Sequence, residues 1–468
     1  MERDPEAERD PREGARARAR EGESVWGPTR RGLTIGLVAT VTLVAFEALA
    51  VAAVMPLVAR ELGDVALYGW AFSGFFLGNL VGIVAAGGAI DRVGVVRPLL
   101  VGLLLFAVGV LIAGVAASMP ILVLGRIVQG VGAGAIPAVA YVTISRRYEE
   151  RTRPQMFAIL STAWVVPGLL GPALAGWIGD HLTWRLVFLG LLPFILLFGG
   201  FTLRALRSRD DADRTDGMPA GRRAEARRLG AAILVTAGAA LLLAASTAPT
   251  APFAIPMAVG GLVIGLPALR RLLPAGTLTA ARGLPATVLA RGVLTFAFFG
   301  AEAYLPLALV EVRGTTATEA GLALTAATLS WTAGAWIQAH RFSSWGGRRL
   351  VGLGFAVVAV GVGTTAVILL PGVPVLVSVA TWGVVGLGMG LAYSTLSLLV
   401  LRDAPAGQQG AATSSLQLSD VLGTSLGTGV GGAVIASAAM SGTSTALGIA
   451  AAFGISLAVG IGGIVLSR

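Results

Sequence analysis

The 468-residue chain contains no cysteine, and all its basic residues are arginine. Without cysteine there is no disulfide framework, thiolate metal site or thiol nucleophile. Without lysine there is neither the phosphate-binding lysine of nucleotide-driven pumps nor a Schiff-base mechanism. Charge is scarce as well: 13% of residues are charged against 55% hydrophobic, and the mean hydropathy is +0.81. That is far more apolar than soluble domains, so the composition is that of a membrane protein. The formal net charge of +10 does not indicate nucleic-acid binding. Its arginines lie in short gaps between apolar runs and form no basic face with interleaved aromatics.

Residues 1–31 are rich in Arg, Glu, Asp and Pro and are expected to form a disordered cytoplasmic tail. The pair Arg30 and Arg31 precedes an apolar run too long for a signal peptide and without a cleavage site, so it reads as an uncleaved first span. Stretches of about 20 apolar residues predict helices near 33–58, 68–89, 98–117, 120–145, 155–178 and 184–204. Residues 205–228 read as a charged linker, and two shorter spans follow near 229–247 and 251–269. After a second linker, 270–287, six more are expected near 288–310, 317–338, 350–370, 374–400, 410–437 and 443–466. The expected fold is all-α and integral to the membrane: an N-terminal bundle over 32–204, two extra helices over 229–269 and a C-terminal bundle over 288–468.

The arginines test the topology. With the N-terminus inside, cytoplasmic gaps collect Arg92, Arg97, Arg146, Arg147, Arg151, Arg153, Arg270, Arg271, Arg282, Arg341, Arg348 and Arg349. The outer gaps hold little beyond Arg60, Arg185 and Arg313, which places both termini in the cytoplasm. The two six-helix halves also repeat one another. One constant offset carries RIVQGVGAG at Arg126 onto WGVVGLGMG at Trp382, aligning Gly130, Gly132 and Gly134 with Gly386, Gly388 and Gly390. The same offset carries Gly171 onto Gly427 and Gly176 onto Gly432. Halves related by an axis along the membrane normal, with a site between them, are a common transporter plan. Most of these glycines serve close helix packing. The likeness of GVGAG to a dinucleotide fingerprint fails because no strand precedes it.

Ionised groups at bilayer depth cost at least about 2.5 to 3.5 kcal/mol and persist only when paired or functional. Glu47, Arg126, Glu302 and Asp420 lie well inside spans, with Gln129 and Gln417 as uncharged companions. Helix-rise arithmetic puts Glu47 and Arg126 at one depth. Burial raises a carboxylate's proton affinity and a neighbouring guanidinium lowers it, a combination that makes protonation switchable. Such a group can exchange protons with a transmembrane gradient. The alternative is a fixed structural ion pair, and for Glu302 a place near the outer mouth. Trp70, Trp164, Trp331 and Tyr304 are candidates to stack on a planar or cationic ligand, or else to pack between helices and lipid.

These residues carry a family resemblance. Gly87, Asp91, Arg92, Gly94 and Arg97 follow a GxxxDRxG pattern between the second and third spans, with Val96 where a further basic residue is common. PGLLGPALAG, containing Pro167, Gly168, Gly171, Pro172 and Gly176, resembles a fifth-span antiporter motif, with departures at Pro167 and Ala175. Over residues 32–467 the chain resembles the major facilitator superfamily, and its six-two-six layout resembles the 14-helix drug:proton antiporter branch. The resemblance implies a gating role for the GxxxDRxG turn, proton transfer involving Arg126 with Gln129 and Gly130 beside it, and Glu47 in place of a first-span aspartate. It also implies a proton-coupled exporter of small amphipathic or cationic compounds: a monomer in the cytoplasmic membrane that uses the proton gradient and needs no cofactor, metal or nucleic acid. An importer or uniporter on the same fold is the nearest alternative. An enzyme or receptor is remote, since only His181 and His340, both at expected helix ends, are available for a metal or catalytic constellation.

Overall fold

The computed structural model describes residues 25–27, 30–207, 222–248, 250–405 and 408–467. Its helices are α1 (Arg31–Leu62), α2 (Tyr68–Val93), α3 (Val96–Gly114), α4 (Met119–Arg147), α5 (Arg153–Thr162), α6 (Val165–His181), α7 (Arg185–Leu189) and α8 (Leu191–Arg207). The chain continues through α9 (Arg222–Ser246), α10 (Ala251–Leu272), α11 (Leu284–Glu302), α12 (Leu305–Leu307), α13 (Ala317–Trp345), α14 (Gly347–Thr365), α15 (Leu376–Asp403), α16 (Gln409–Met440) and α17 (Thr445–Leu466). Among the described residues, twelve helical segments are long and apolar enough to cross a membrane. The 17-residue α6 and the more polar 29-residue α13 run beside them, so the protein is a multi-pass helical bundle with about twelve to fourteen crossings.

Several boundaries differ from the sequence reading. The expected fifth span is broken at Ala163 and Trp164 into α5 and α6, and the sixth opens with the short α7. The ninth starts earlier, at Leu284, and breaks after Glu302, where Pro306 follows in α12 and a π turn runs over Ala308–Val312. Proline lacks the N–H that would carry the ladder through this point. Helix α9 begins at Arg222, so the last residues of the expected linker are helical; RRAEARR consists of good helix formers. The remainder of that linker, 208–221, and the expected tail through residue 24 lie outside the described residues. The end of that tail is not free: Val25 is buried, and its carbonyl accepts a hydrogen bond from Thr34 Oγ1 at 2.7 Å.

The repeated glycines set the same packing in both halves. A methyl group at Gly130 or Gly134 would strike the α2 carbonyls of Phe75 and Asn79, and one at Gly132 would strike Phe106 of α3. Correspondingly, Gly386 and Gly390 of α15 face the α13 carbonyls of Ala327 and Trp331, and Gly388 faces Gly354 of α14. Backbone approach this close is how helices gain dispersion contact in lipid, where no hydrophobic effect drives them together. Gly176 and Gly432 make the seams between halves: the first meets Ala317 of α13 and the second Gly69 of α2. Two pairs, α6 with α13 and α2 with α16, therefore join the bundles.

Helix ends carrying Arg92, Arg146, Arg147 and Arg153 gather at one face, here the arginine-rich end. At the opposite end Asp180 of α6 accepts from Ala317 N (3.1 Å), Thr318 N (2.8 Å) and Thr318 Oγ1 (2.6 Å), so a residue of one half caps a helix of the other. Arg60 donates to the Val310 carbonyl at 2.9 Å and Tyr68 to the Ala303 carbonyl at 3.2 Å. Nearer the middle, Ser425 donates to the Ser73 carbonyl and Thr325 to the Leu169 carbonyl. Among the described residues, none of the hydrogen bonds joining residues 30–207 to 284–467 lies at the arginine-rich end. The described hydrogen bonds between the halves gather at the opposite end and near the middle.

Candidate functional site

Glu47 reaches the centre from α1 because Leu43, Val44, Ala50, Val51 and Val54 on the same helix pack into the core and carry its carboxylate in with them. It is fully buried and ion-paired with Arg126 of α4, which is 2% exposed. The Arg126 Nη1 also donates to Gln129 Oε1 at 2.7 Å, and its Nε donates to the Ala71 carbonyl at 3.1 Å. Phe75 covers the guanidinium face, with Cζ 4.2 Å from the ring centroid. Residues expected at one depth are thus brought together. Glu47 Oε2 and Gln129 Nε2 keep no hydrogen-bond partner. One carboxylate oxygen is engaged, and the other is left able to take a proton.

The second half is built differently. The repeat counterpart of Arg126 is Trp382, fully buried and stacked on Phe298 with centroids 5.7 Å apart. Trp331 meets Phe298 edge-on at 5.5 Å and Tyr393 at 5.1 Å, forming an aromatic group where the first half holds an ion pair. Asp420 of α16 accepts a hydrogen bond from Tyr393 Oη at 2.7 Å. The Tyr393 ring in turn carries Arg291, whose Cζ lies 3.4 Å from its centroid. Sequence reasoning missed Arg291. It is 1% exposed, donates to the Tyr393 carbonyl at 2.9 Å and to Ser397 Oγ, and leaves Nε and Nη1 without partners. Placing the span's start at 288 made it an edge residue; with the helix starting at Leu284 it lies about 10 Å in.

The remaining candidates are scattered. Glu302 sits at the break after α11, half-buried, and no described residue hydrogen-bonds or ion-pairs with its side chain. Gln417 is half-buried one turn before Asp420. Tyr304, expected to touch ligand, is instead buried in the seam: its hydroxyl donates to the Thr428 carbonyl and its ring packs 5.7 Å from Tyr68. Trp164 is 45% exposed at the α5–α6 break, and Trp70 is half-buried at the opposite end. The side chains therefore form two clusters: Glu47, Arg126 and Gln129 in one half, and Trp331, Tyr393, Asp420 and Arg291 in the other.

The motif turns have structural work of their own. In GxxxDRxG, Gly94 takes φ +75°, a left-handed conformation that a side chain would strain, and its N–H closes α2 on the Ile90 carbonyl. Gly87 is unobstructed and Arg97 lies at the start of α3. Asp91 pairs with Arg146 of α4 at 3.1 Å, and Arg92 pairs with Glu225 of α9 at 3.0 Å. In α6, Pro167, Gly168, Gly171, Pro172 and Gly176 are all buried. Gly168 abuts Thr328, and the Pro172 carbonyl fills the place of a side chain at Gly321, so this motif is the seam with α13.

Comparison with known proteins agrees with this architecture. The profile described as the Major Facilitator Superfamily matches residues 35–428. An uncharacterized MFS-type transporter of Mycobacterium tuberculosis is 29% identical over 434 residues, covering 89% of this chain and 61% of that protein. This chain thus spans less than two thirds of that relative's length. The multidrug transporter protein MdtP of Bacillus subtilis is 24% identical over 415 residues, 86% of this chain and 75% of its own. A crystal structure of a peptide transporter POT in complex with sulfate superposes with a TM-score of 0.66 at 17% identity over 93% of both chains, a likeness of fold. With its six-helix halves, their glycine repeat and a profile match over most of its length, the chain belongs to the Major Facilitator Superfamily of membrane transporters.

Proposed function

We propose that the protein exports small amphipathic or cationic compounds across the cytoplasmic membrane in exchange for protons, by alternating access between its two halves. The observation that carries this reading is the buried Glu47–Arg126 pair with one carboxylate oxygen left unpartnered. A proton arriving at Glu47 Oε2 neutralises the carboxylate and weakens its hold on Arg126, and release of that proton restores the pair. An ion pair buried in low dielectric is a high-stakes contact, so making and breaking it biases two packings of the same helices. The aromatic group around Trp331 and Tyr393, with Asp420 beside it, offers flat apolar faces and a negative charge to a cationic substrate. A relative named as a multidrug transporter supports the substrate class. The positive-inside rule assigns the arginine-rich end and both termini to the cytoplasm; with the described hydrogen bonds between halves gathered at the other end, we read this state as inward-open. The protein is assigned as a monomer.

The test is an efflux panel. Expressed in a strain without its own pumps, the protein lowers retention of at least one aromatic cation, and adding that compound to energised vesicles dissipates the pH gradient. A uniporter or importer leaves the gradient unchanged, and that outcome would displace the antiport reading.

A further inference from the structure

The hairpin of α9 and α10 belongs to neither six-helix half, yet α9 is not a bystander. It packs against α2 of the first half and α16 of the second, the two helices that form one of the seams. Along the seam it makes three kinds of contact. Toward the opposite end Leu243 fills the space beside Gly429 of α16. At mid-length Thr236 Oγ1 donates to the Leu77 carbonyl of α2 at 3.4 Å. At the arginine-rich end Glu225, with its side chain only 10% exposed, lies 3.0 Å from Arg92 Nε as an ion pair; Nε donates its hydrogen bond to the Gly88 carbonyl, so charge alone joins the two.

A separate apolar core confirms that α9 spans the division. Ala231, Ala232, Val235 and Ala239 are buried together with Leu77 and Leu80 of α2, Val288 of α11, and Leu416 and Leu422 of α16. By contrast α10 leans almost wholly on α9, through Gly238, Gly261 and Gly265, and turns Phe253, Val259 and Val263 outward. The two charges of the GxxxDRxG turn therefore part company. Asp91 ties back to α4 within its own half, while Arg92 pairs with a helix wedged between halves, at the end where the described residues make no hydrogen bond between those halves.

We propose that the hairpin is a brace across the α2–α16 seam and that Glu225 is a positioning residue: it holds Arg92 and the α2–α3 turn in the arginine-end-open state. This rests on the alternating-access reading above. When the arginine-rich end closes, α2 and α16 shift against each other, and α9 cannot keep both its core contacts and the Arg92 pair. The pair is spent in that step, so it favours the open state.

Because the chain has no cysteine, spin labels can be placed cleanly on Glu150→Cys and Arg348→Cys, exposed positions of the two halves at the arginine-rich end. Pulsed-resonance distances in lipid nanodiscs then report open and closed populations without substrate or gradient. Glu225→Gln and Arg92→Gln are each expected to lower the open-to-closed ratio about two- to five-fold, the range of an ion pair at a bundle's edge. The double variant is expected to lower it no further, because both act through one contact. Unchanged distances in the single variants, or additive effects in the double, overturn the brace. Should a single variant fail to fold, the charge exchange Arg92→Glu with Glu225→Arg is read instead: a wild-type distribution supports the proposal and a closed-shifted one overturns it. A single population in the unsubstituted protein under all conditions defeats alternating access itself, whereas two populations indifferent to Glu225 defeat only the brace.

Discussion

Replacing Arg126 with methionine removes a guanidinium that satisfies three acceptors: Glu47 Oε1, Gln129 Oε1 and the Ala71 carbonyl. Glu47 has no exposure to solvent, and its second oxygen is already unpartnered. Breaking a buried pair from one side costs roughly 3 to 5 kcal/mol, since it strands a charge. Substituting both partners, as Glu47→Met with Arg126→Met, strands none. It leaves only the Gln129 and Ala71 acceptors unmade, at about 1 kcal/mol or somewhat more each. The double variant should therefore be more stable than Arg126→Met alone by about 1 to 3 kcal/mol. Equilibrium unfolding in mixed micelles, followed by the fluorescence of the nine tryptophans, measures this. A loss below about 1 kcal/mol for Arg126→Met, or a double variant no better than the single one, would refute the claim that Glu47 is a desolvated charge held by Arg126.

Two further substitutions test the packing and the latch. Gly130→Ala drives a methyl into the Phe75 carbonyl and should lower stability by about 1 to 3 kcal/mol, whereas Gly454→Ala, with open space around it, should be neutral or slightly stabilising; thermal unfolding of the two separates them. Asp180→Ala removes the carboxylate that caps α13 from the other half. A cap of this kind contributes about 0.5 to 2 kcal/mol, so labelling of single cysteines near the opposite end should speed up several-fold, and unchanged labelling would show that the cap does not latch that end.

The architecture is legible in the sequence because lipid imposes a simple code. Apolar runs of fixed length, arginines mostly on one side and a glycine repeat at constant offset each follow from one physical demand, and together they give a multi-pass bundle of two repeated halves; the resemblance carried by the GxxxDRxG and α6 motifs adds the superfamily. Glu47 and Arg126 are legible for the same reason, since opposite charges at equal depth have few other partners. The second half is harder to read. Arg291 owes its burial to the Tyr393 ring and Ser397 hydroxyl of another helix, a contact that no periodicity announces. Tyr304 has the composition of a ligand contact, but the break after Glu302 turns it into the α2–α16 seam. The hairpin α9–α10 shows no motif at all, and its position is set by the groove that it fills.

On the proposed antiport reading, Glu47 exchanges its proton during transport and is not merely a structural partner of Arg126. The most direct measurement is substrate-induced proton flux in proteoliposomes carrying the unsubstituted protein or Glu47→Gln, with a pH gradient imposed and folding verified for both. Substrate is expected to drive proton flux through the unsubstituted protein and none through Glu47→Gln. Full gradient-driven flux in Glu47→Gln would contradict it and leave the pair as a structural contact.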